Sequence, residues 1–217
     1  MKLFTNTLAR LGTLPLDDAR QELAYWRRLI SHAGDKIGYD GKFDDISNTI
    51  TGAASALEPL RVAWFNIHAS AGIDAMMAAV ANKGEAKVAA VTVLTSLDAA
   101  NAALIFGATL QAKVLQLARD AKLAKVDGII CSPVDLPYLV KRPELAGFEY
   151  LTPGVRPAGS EKGDQSRTDT PGGAITAGAT YVIIGRPITQ PAVGTPVEAA
   201  KAIAAEIAEA ITKIERS

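Results

Sequence analysis

Residues 61–72 read RVAWFNIHASAG. A short, nearly continuous apolar run with β-branched and aromatic members ends abruptly in small and polar residues. A strand buried on one face alternates apolar and polar residues, whereas one buried on both faces is apolar throughout, as in a parallel sheet covered by helices. The same signature recurs along the chain in KVAAVTVL (87–94), VDGIIC (126–131), FEYL (148–151) and YVIIG (181–185), with a further strand expected over 36–43.

Between these runs the apolar spacing changes to that of helices. Helices are expected over 16–31, 47–57, 71–81, 108–122 and 196–214, with a shorter one at 172–177. The alternation of strand and helix implies βαβ units and a parallel sheet. The residues at the strand ends narrow the choice. They are DGKFDD after residue 39, His68-Ala-Ser-Ala-Gly72, Thr95-Ser96, Cys131-Ser-Pro-Val-Asp135, Thr152-Pro-Gly-Val-Arg-Pro157 and Arg186-Pro187. A TIM barrel builds its active site from the carboxyl ends of its strands. An open doubly wound sheet also binds there, but no GxGxxG turn or P-loop is present. The expected fold is therefore an α/β, TIM-type (β/α)8 barrel, a single domain over 1–217. Six strands are clear. Residues 2–7 and one less regular segment must supply the rest, or the barrel is incomplete at its amino end.

The bounds on function are simple. Lys+Arg and Asp+Glu both number 23, so the net charge gives no general attraction to nucleic acid or an anionic membrane. No run of about 18 apolar residues exists to span a bilayer. The opening MKLFTNTLARLG has no secretory pattern. One cysteine, Cys131, makes neither an internal disulfide nor a metal framework, and it reads as a small buried residue. A soluble, cytoplasmic protein is expected.

Two stretches carry chemistry. In GYDGKFDDI (38–46), Asp40 and Lys42 lie two apart on a strand and so share a face, with Asp45 just beyond. Carboxylates beside a lysine hold it charged and fixed, ready to give a proton to a carbanion. Taken alone, such a cluster reads as a solvated set of ion pairs. The second stretch is TPGVRPAGSEKGDQSRTDTPGG (152–173). Residues 156–169 are too polar and glycine-rich for a core. Long ordered loops in compact domains are usually binding loops. This one carries Arg156, Lys162, Gln165 and Arg167, and Gly185-Arg186 follows the last strand. Loops after the late strands of such barrels often hold phosphate, and arginine and amide side chains suit its oxygens. His68 reads as a core histidine without a catalytic role, and Trp26 and Trp64 as core.

At these residues the chain resembles the orotidine 5′-phosphate decarboxylase family. Asp40–Thr49, DGKFDDISNT, matches Asp-x-Lys-x-x-Asp-Ile-x-Asn-Thr. The late pattern matches at Thr152–Pro157, Gly163–Arg167, Thr170–Pro171 and Gly185–Arg186, and NIHASAG (66–72) and VTVLTS (91–96) are similar to that family's middle strand ends. The resemblance implies a homodimeric barrel with shared active sites, a small-molecule substrate and no metal or organic cofactor. By that resemblance Lys42 would protonate C6 of the pyrimidine and Asp40 would face the departing carboxylate. Asp45, Ile46 and Thr49 would reach the partner's site, and Thr95 and Ser96 would face the base. Pro153, Arg156, Gln165, Gly185 and Arg186 would border the phosphate.

The amino end departs from the pattern. In one alignment Asp35–Tyr39 resembles the family's second strand, Lys36 is the outer lysine of a Lys-Asp-Lys-Asp array, and about one helix and one strand are missing before Asp40. In the other, DKIGYDGK is the third strand and the first two are lost or replaced. Two other readings remain: a non-catalytic nucleotide-binding relative, and a magnesium-dependent sugar-phosphate decarboxylase.

Overall fold

The computed structural model describes residues 3–5, 37–157 and 167–216. The chain forms two compact units. One comprises Met1–Val91 and Asp120–Asp127, the other Thr92–Arg119 and Gly128–Ser217.

The first unit contains four parallel strands whose hydrogen-bonded neighbours follow chain order: β1 (Leu3–Thr5), β2 (Ile37–Phe43), β3 (Trp64–His68) and β4 (Lys87–Val91). Helices α1 (Ser47–Leu57) and α2 (Ile73–Ala81) make the crossovers from β2 to β3 and from β3 to β4. On β3, Trp64, Phe65, Asn66 and Ile67 are all buried, as a strand covered on both faces requires. Each of its large apolar side chains contributes roughly 1.5–3 kcal/mol by burial. The Trp64 ring also takes the Lys87 ammonium at 5.2 Å from its centroid. Helix α1 buries Ile50, Ala54 and Leu57, and α2 buries Ala75, Met76 and Ala79. Asp127 ties the unit together: its Oδ2 accepts from Lys83 Nζ at 2.5 Å and from the Val88 N–H at 2.8 Å.

The second unit contains α3 (Ala99–Phe106) and α4 (Leu110–Leu123), followed by parallel strands β5 (Gly128–Ile130), β6 (Glu149–Thr152) and β7 (Tyr181–Val182). Helix α4 runs on past Arg119 into the first unit's segment. A short helix, α5 (Leu136–Leu139), lies between β5 and β6, and α6 (Pro171–Thr176) between β6 and β7. The chain ends in α7 (Arg186–Thr189) and α8 (Pro196–Glu215). Thr195 and Glu198 close a capping box at the start of α8, with Pro196 in its first turn. Glu206 of α8 accepts from the Gly172 N–H at 2.8 Å, so the start of α6 is tied down by a carboxylate of its own unit.

Most elements lie where the periodicity places them, and Leu3–Thr5 supplies one of the extra strands expected of residues 2–7. Seven strands stand among the described residues, against the eight of a full barrel. The expected strand 181–185 is cut to two residues. The Ile183 N–H still bonds Thr152 O at 2.8 Å, but the chain must then enter α7, which has Gly185 as its N-cap and Pro187 in its first turn. Helix α3 has no counterpart in the sequence reading. Asp98 caps it by accepting from the Asn101 N–H, and Gly107 ends it in the left-handed region. It buries only Ala102 and leaves Leu104 and Ile105 exposed, so it shows no apolar stripe to read. The expected helix 16–31 and Trp26 lie outside the described residues.

Candidate active site

In the first unit the chemistry gathers where β2 ends. The register between β2 and β3 shifts between Tyr39 and Phe43, and Lys42 lies inside that irregularity with φ 47. A left-handed conformation costs a non-glycine residue roughly 1–3 kcal/mol and persists only where its surroundings enforce it. Two features enforce it here. Gly41 gives the chain room: a Cβ there would meet Tyr39 Cε1 at 2.5 Å and Phe43 Cε1 at 2.9 Å. Beyond it, the Lys42 N–H donates to Asn66 Oδ1 at 2.7 Å.

Asn66 and Lys42 then share one carboxylate. Asp40 Oδ1 accepts from Asn66 Nδ2 at 2.5 Å, and Asp40 Oδ2 accepts from Lys42 Nζ at 2.5 Å. Asn66 is 1% exposed, while the Lys42 side chain is 42% exposed, so a buried amide anchors a pair whose ammonium still meets solvent. Such charge-assisted bonds are stronger than neutral ones. Asp45 does not join them. Its Oδ1 accepts from the N–H of Ile46 at 2.7 Å, the residue that precedes α1. Ile46 is 71% exposed, and Asp45 and Thr49 are also exposed. His68, at the end of β3, is half-buried. Burial lowers its pKa below the ordinary value; the Lys42 charge acts in the same direction, and Asp44 and Asp40 oppose it. Asp44 is thus felt at the cluster although its side chain is exposed.

The sequence reading missed Asn66. The available signal was a polar amide in an otherwise apolar strand, where burial demands partners.

The second unit presents its own strand ends. Thr95 is buried and Ser96 exposed. After β6, Pro153 and Arg156 are half-exposed, and Gly154 has φ 76. Val155 bridges to Asp169, and the Arg156 N–H donates to Asp169 O at 2.8 Å, which closes the base of the long loop. Arg156 Nη1 donates to Val155 O at 3.0 Å. Gly185 and Arg186 are exposed, and a Cβ built on Gly185 would meet nothing within 4 Å among the described residues beyond its chain neighbours. Lys36 and Gln165 lie outside the described residues.

Arg167, one of the cations of the long loop, already has its partners. Its Nη1 donates to Asp135 Oδ2 at 2.6 Å, and its Nη2 donates to Val93 O at 3.2 Å and Leu94 O at 3.1 Å. Ser132 Oγ donates to Arg167 O at 3.4 Å. The guanidinium therefore braces the two carbonyls that precede Thr95-Ser96. Burial raises the Asp135 pKa, and the charge and hydrogen bond of Arg167 act against that rise. The Cys131 thiol is pushed up by burial and by Asp135, which makes it an inert core group.

Parallel strands in chain order, joined by helices and carrying polar side chains at their carboxyl ends, define an α/β protein of the TIM-barrel class. The chain belongs to the orotidine 5′-phosphate decarboxylase / HUMPS family, whose model matches residues 22–203. It is similar to the orotidine 5′-phosphate decarboxylase of Moorella thermoacetica, at 42% identity over 193 residues, covering 83% of this chain and 75% of that protein. The crystal structure of orotidine 5′-phosphate decarboxylase from Lactobacillus acidophilus is similar at TM-score 0.68 and 30% identity, covering 86% of this chain and 84% of that one. The orotidine 5′-monophosphate decarboxylase from Methanocaldococcus jannaschii, complexed with inhibitor BMP, is similar at TM-score 0.59 and 26% identity, covering 85% and 81%.

Proposed function

We propose that this chain is a carboxy-lyase that converts orotidine 5′-phosphate to uridine 5′-phosphate and carbon dioxide, the last step of pyrimidine nucleotide synthesis. The observation that carries it is the Asp40–Lys42 pair on a strand end, in a chain 42% identical to an orotidine 5′-phosphate decarboxylase.

In this reading the bond between C6 and the carboxylate carbon breaks, and its electron pair stays on C6. The Lys42 ammonium gives C6 a proton and later regains one from solvent. Asp40 lies against the departing carboxylate and holds Lys42 on line. Loss of carbon dioxide relieves the repulsion between the two carboxylates. Thr95 and Ser96 face the pyrimidine. Pro153, Arg156, Gln165, Gly185 and Arg186 hold the phosphate, whose binding far from C6 is used at the chemical step. Lys36 is assigned as the outer lysine of the array. The reaction needs no metal or organic cofactor in this scheme. The protein works in the cytoplasm as a homodimer, with Asp45, Ile46 and Thr49 entering the partner's site. Support for that last assignment is the exposure of all three, and of an isoleucine above all, on a helix start beside the cluster.

The second reading is a magnesium-dependent sugar-phosphate decarboxylase, which would share the Asp-x-Lys pattern of Asp40 and Lys42. The test is turnover of orotidine 5′-phosphate, followed by ultraviolet absorbance with a chelator present. Robust turnover is expected. Turnover abolished by the chelator would favour the second reading. Tight binding of uridine 5′-phosphate without turnover would overturn catalysis and leave a binding protein.

A further inference from the structure

We propose that Asn66 is a positioning residue for proton delivery by Lys42, an inference that rests on the decarboxylase reading. The geometry assigns it two simultaneous duties. Its Oδ1 accepts from the Lys42 backbone N–H at 2.7 Å and its Nδ2 donates to Asp40 Oδ1 at 2.5 Å. The neighbours fix the amide's orientation, because a backbone N–H can only donate and a carboxylate can only accept. One side chain on β3 thereby sets both ends of the Asp40–Lys42 pair on β2. The first bond holds the lysine backbone at φ 47, which aims its side chain. The second turns Asp40 so that its other oxygen, Oδ2, meets Nζ.

No hydrophobic or hydroxyl side chain can serve both duties from this position. An alcohol would have to span the same reach with one oxygen. A carboxylate accepts from the Lys42 N–H but repels Asp40. A protonated carboxylic acid, however, has the shape of the amide and offers one acceptor and one donor. Asn66→Asp should therefore be defective when its carboxyl is ionised and recover when one proton is shared between the Asp40 carboxylate and the introduced one. Two carboxyls at this separation have one strongly raised pKa. Asn66 bonds Asp40 and Lys42 on β2, and its register partner on β4 is Ala89; the other titratable groups of the cluster are His68 on β3, which feels Asp40, Lys42 and Asp44, and Asp44 itself. All are common to the parent and the variant, so the comparison isolates the new carboxyl.

The experiment measures kcat and KM for the parent chain, Asn66→Ala and Asn66→Asp from about pH 8 down to about pH 5. Asn66→Ala should lose about 100-fold in kcat with KM changed by less than about threefold, because a misaimed lysine impairs the chemical step and not substrate binding. Asn66→Asp should be impaired at high pH and regain activity relative to the parent as pH falls. A variant that keeps the parent's kcat and pH profile overturns the proposal. Hydrogen exchange at the Lys42 amide gives a readout independent of turnover. Its protection should fall in Asn66→Ala; in Asn66→Asp, should the alanine variant not fold, it should return at low pH. Unchanged protection overturns the geometry. An inactive parent chain would overturn the decarboxylase reading, while the exchange result would still decide whether Asn66 holds Lys42.

Discussion

Arg167 Nη1 lies 2.6 Å from Asp135 Oδ2, and neither side chain is more than 11% exposed. A buried ion pair recovers its desolvation cost only with good geometry and further hydrogen bonds. Here the guanidinium finds two more acceptors at Val93 and Leu94. Removing one partner strands the other charge. Arg167→Ala should therefore lower stability by about 3–5 kcal/mol. Arg167→Met combined with Asp135→Leu should recover much of that loss, since apolar replacements of similar volume are often tolerated. Urea denaturation followed by circular dichroism checks both. A single variant as stable as the parent would show that the pair contributes nothing.

The same residue shows how much of the site was legible in the sequence. Arg167 sits in a polar, glycine-rich loop that reads as a binding loop, with no signal for what it meets. Its actual partner, Asp135, is 32 residues away. Sequence patterns report spacing along an element, not which loop cation meets which acid after folding. The strands and helices were easier, because burial on two faces makes β3 apolar and helical spacing marks 196–214, where α8 lies. Helix α3 escaped because alanine propensity and the Asp98 cap form it without an apolar stripe. The Asp40–Lys42 contact was legible from a separation of two on a strand. Asn66, 24 residues from Lys42, was not.

Under the proposed function Lys42 meets two separable demands, one chemical and one conformational. Lys42→Ala should lower kcat about a thousandfold or more, because in that reading its ammonium supplies the proton. Its φ of 47 predicts a second effect. Glycine tolerates that region freely and alanine does not. Lys42→Gly should thus be equally inactive yet about 1 kcal/mol more stable than Lys42→Ala. Turnover and chemical denaturation of the two variants, measured side by side, distinguish the demands. Equal stabilities would show that the backbone relaxes when the lysine leaves.

His68 should make stability depend on pH. Its pKa in the folded protein is lowered from the ordinary 6.5, chiefly by burial. Between the lowered value and 6.5 the unfolded chain binds more protons than the folded one, so stability rises with pH through that window. The contribution is fully present above about 6.5 and is lost as pH falls. His68→Gln should flatten this slope. Thermal midpoints collected across the acidic range for parent and variant test it, and parallel curves would remove His68 as the cause.

Gly41 is where this chain's version of the Asp-x-Lys pattern is most constrained. The Tyr39 and Phe43 rings lie 6.1 Å apart, centroid to centroid, and Phe43 also meets Phe65 at 5.8 Å. An added Cβ at Gly41 would press on both Tyr39 and Phe43. Gly41→Ala should destabilise by about 1–3 kcal/mol through overpacking. It should also lower kcat, because the displaced residues flank Asp40 and Lys42, and the proposed proton transfer tolerates only small errors of aim. Phe43→Leu added to Gly41→Ala removes the contact at 2.9 Å and leaves the one with Tyr39 at 2.5 Å, so it should restore stability only in part and kcat less still. Denaturation midpoints and steady-state rates on the same preparations decide the matter. If Gly41→Ala matches the parent in both, the rings move aside freely and Gly41 plays no part in aiming Lys42.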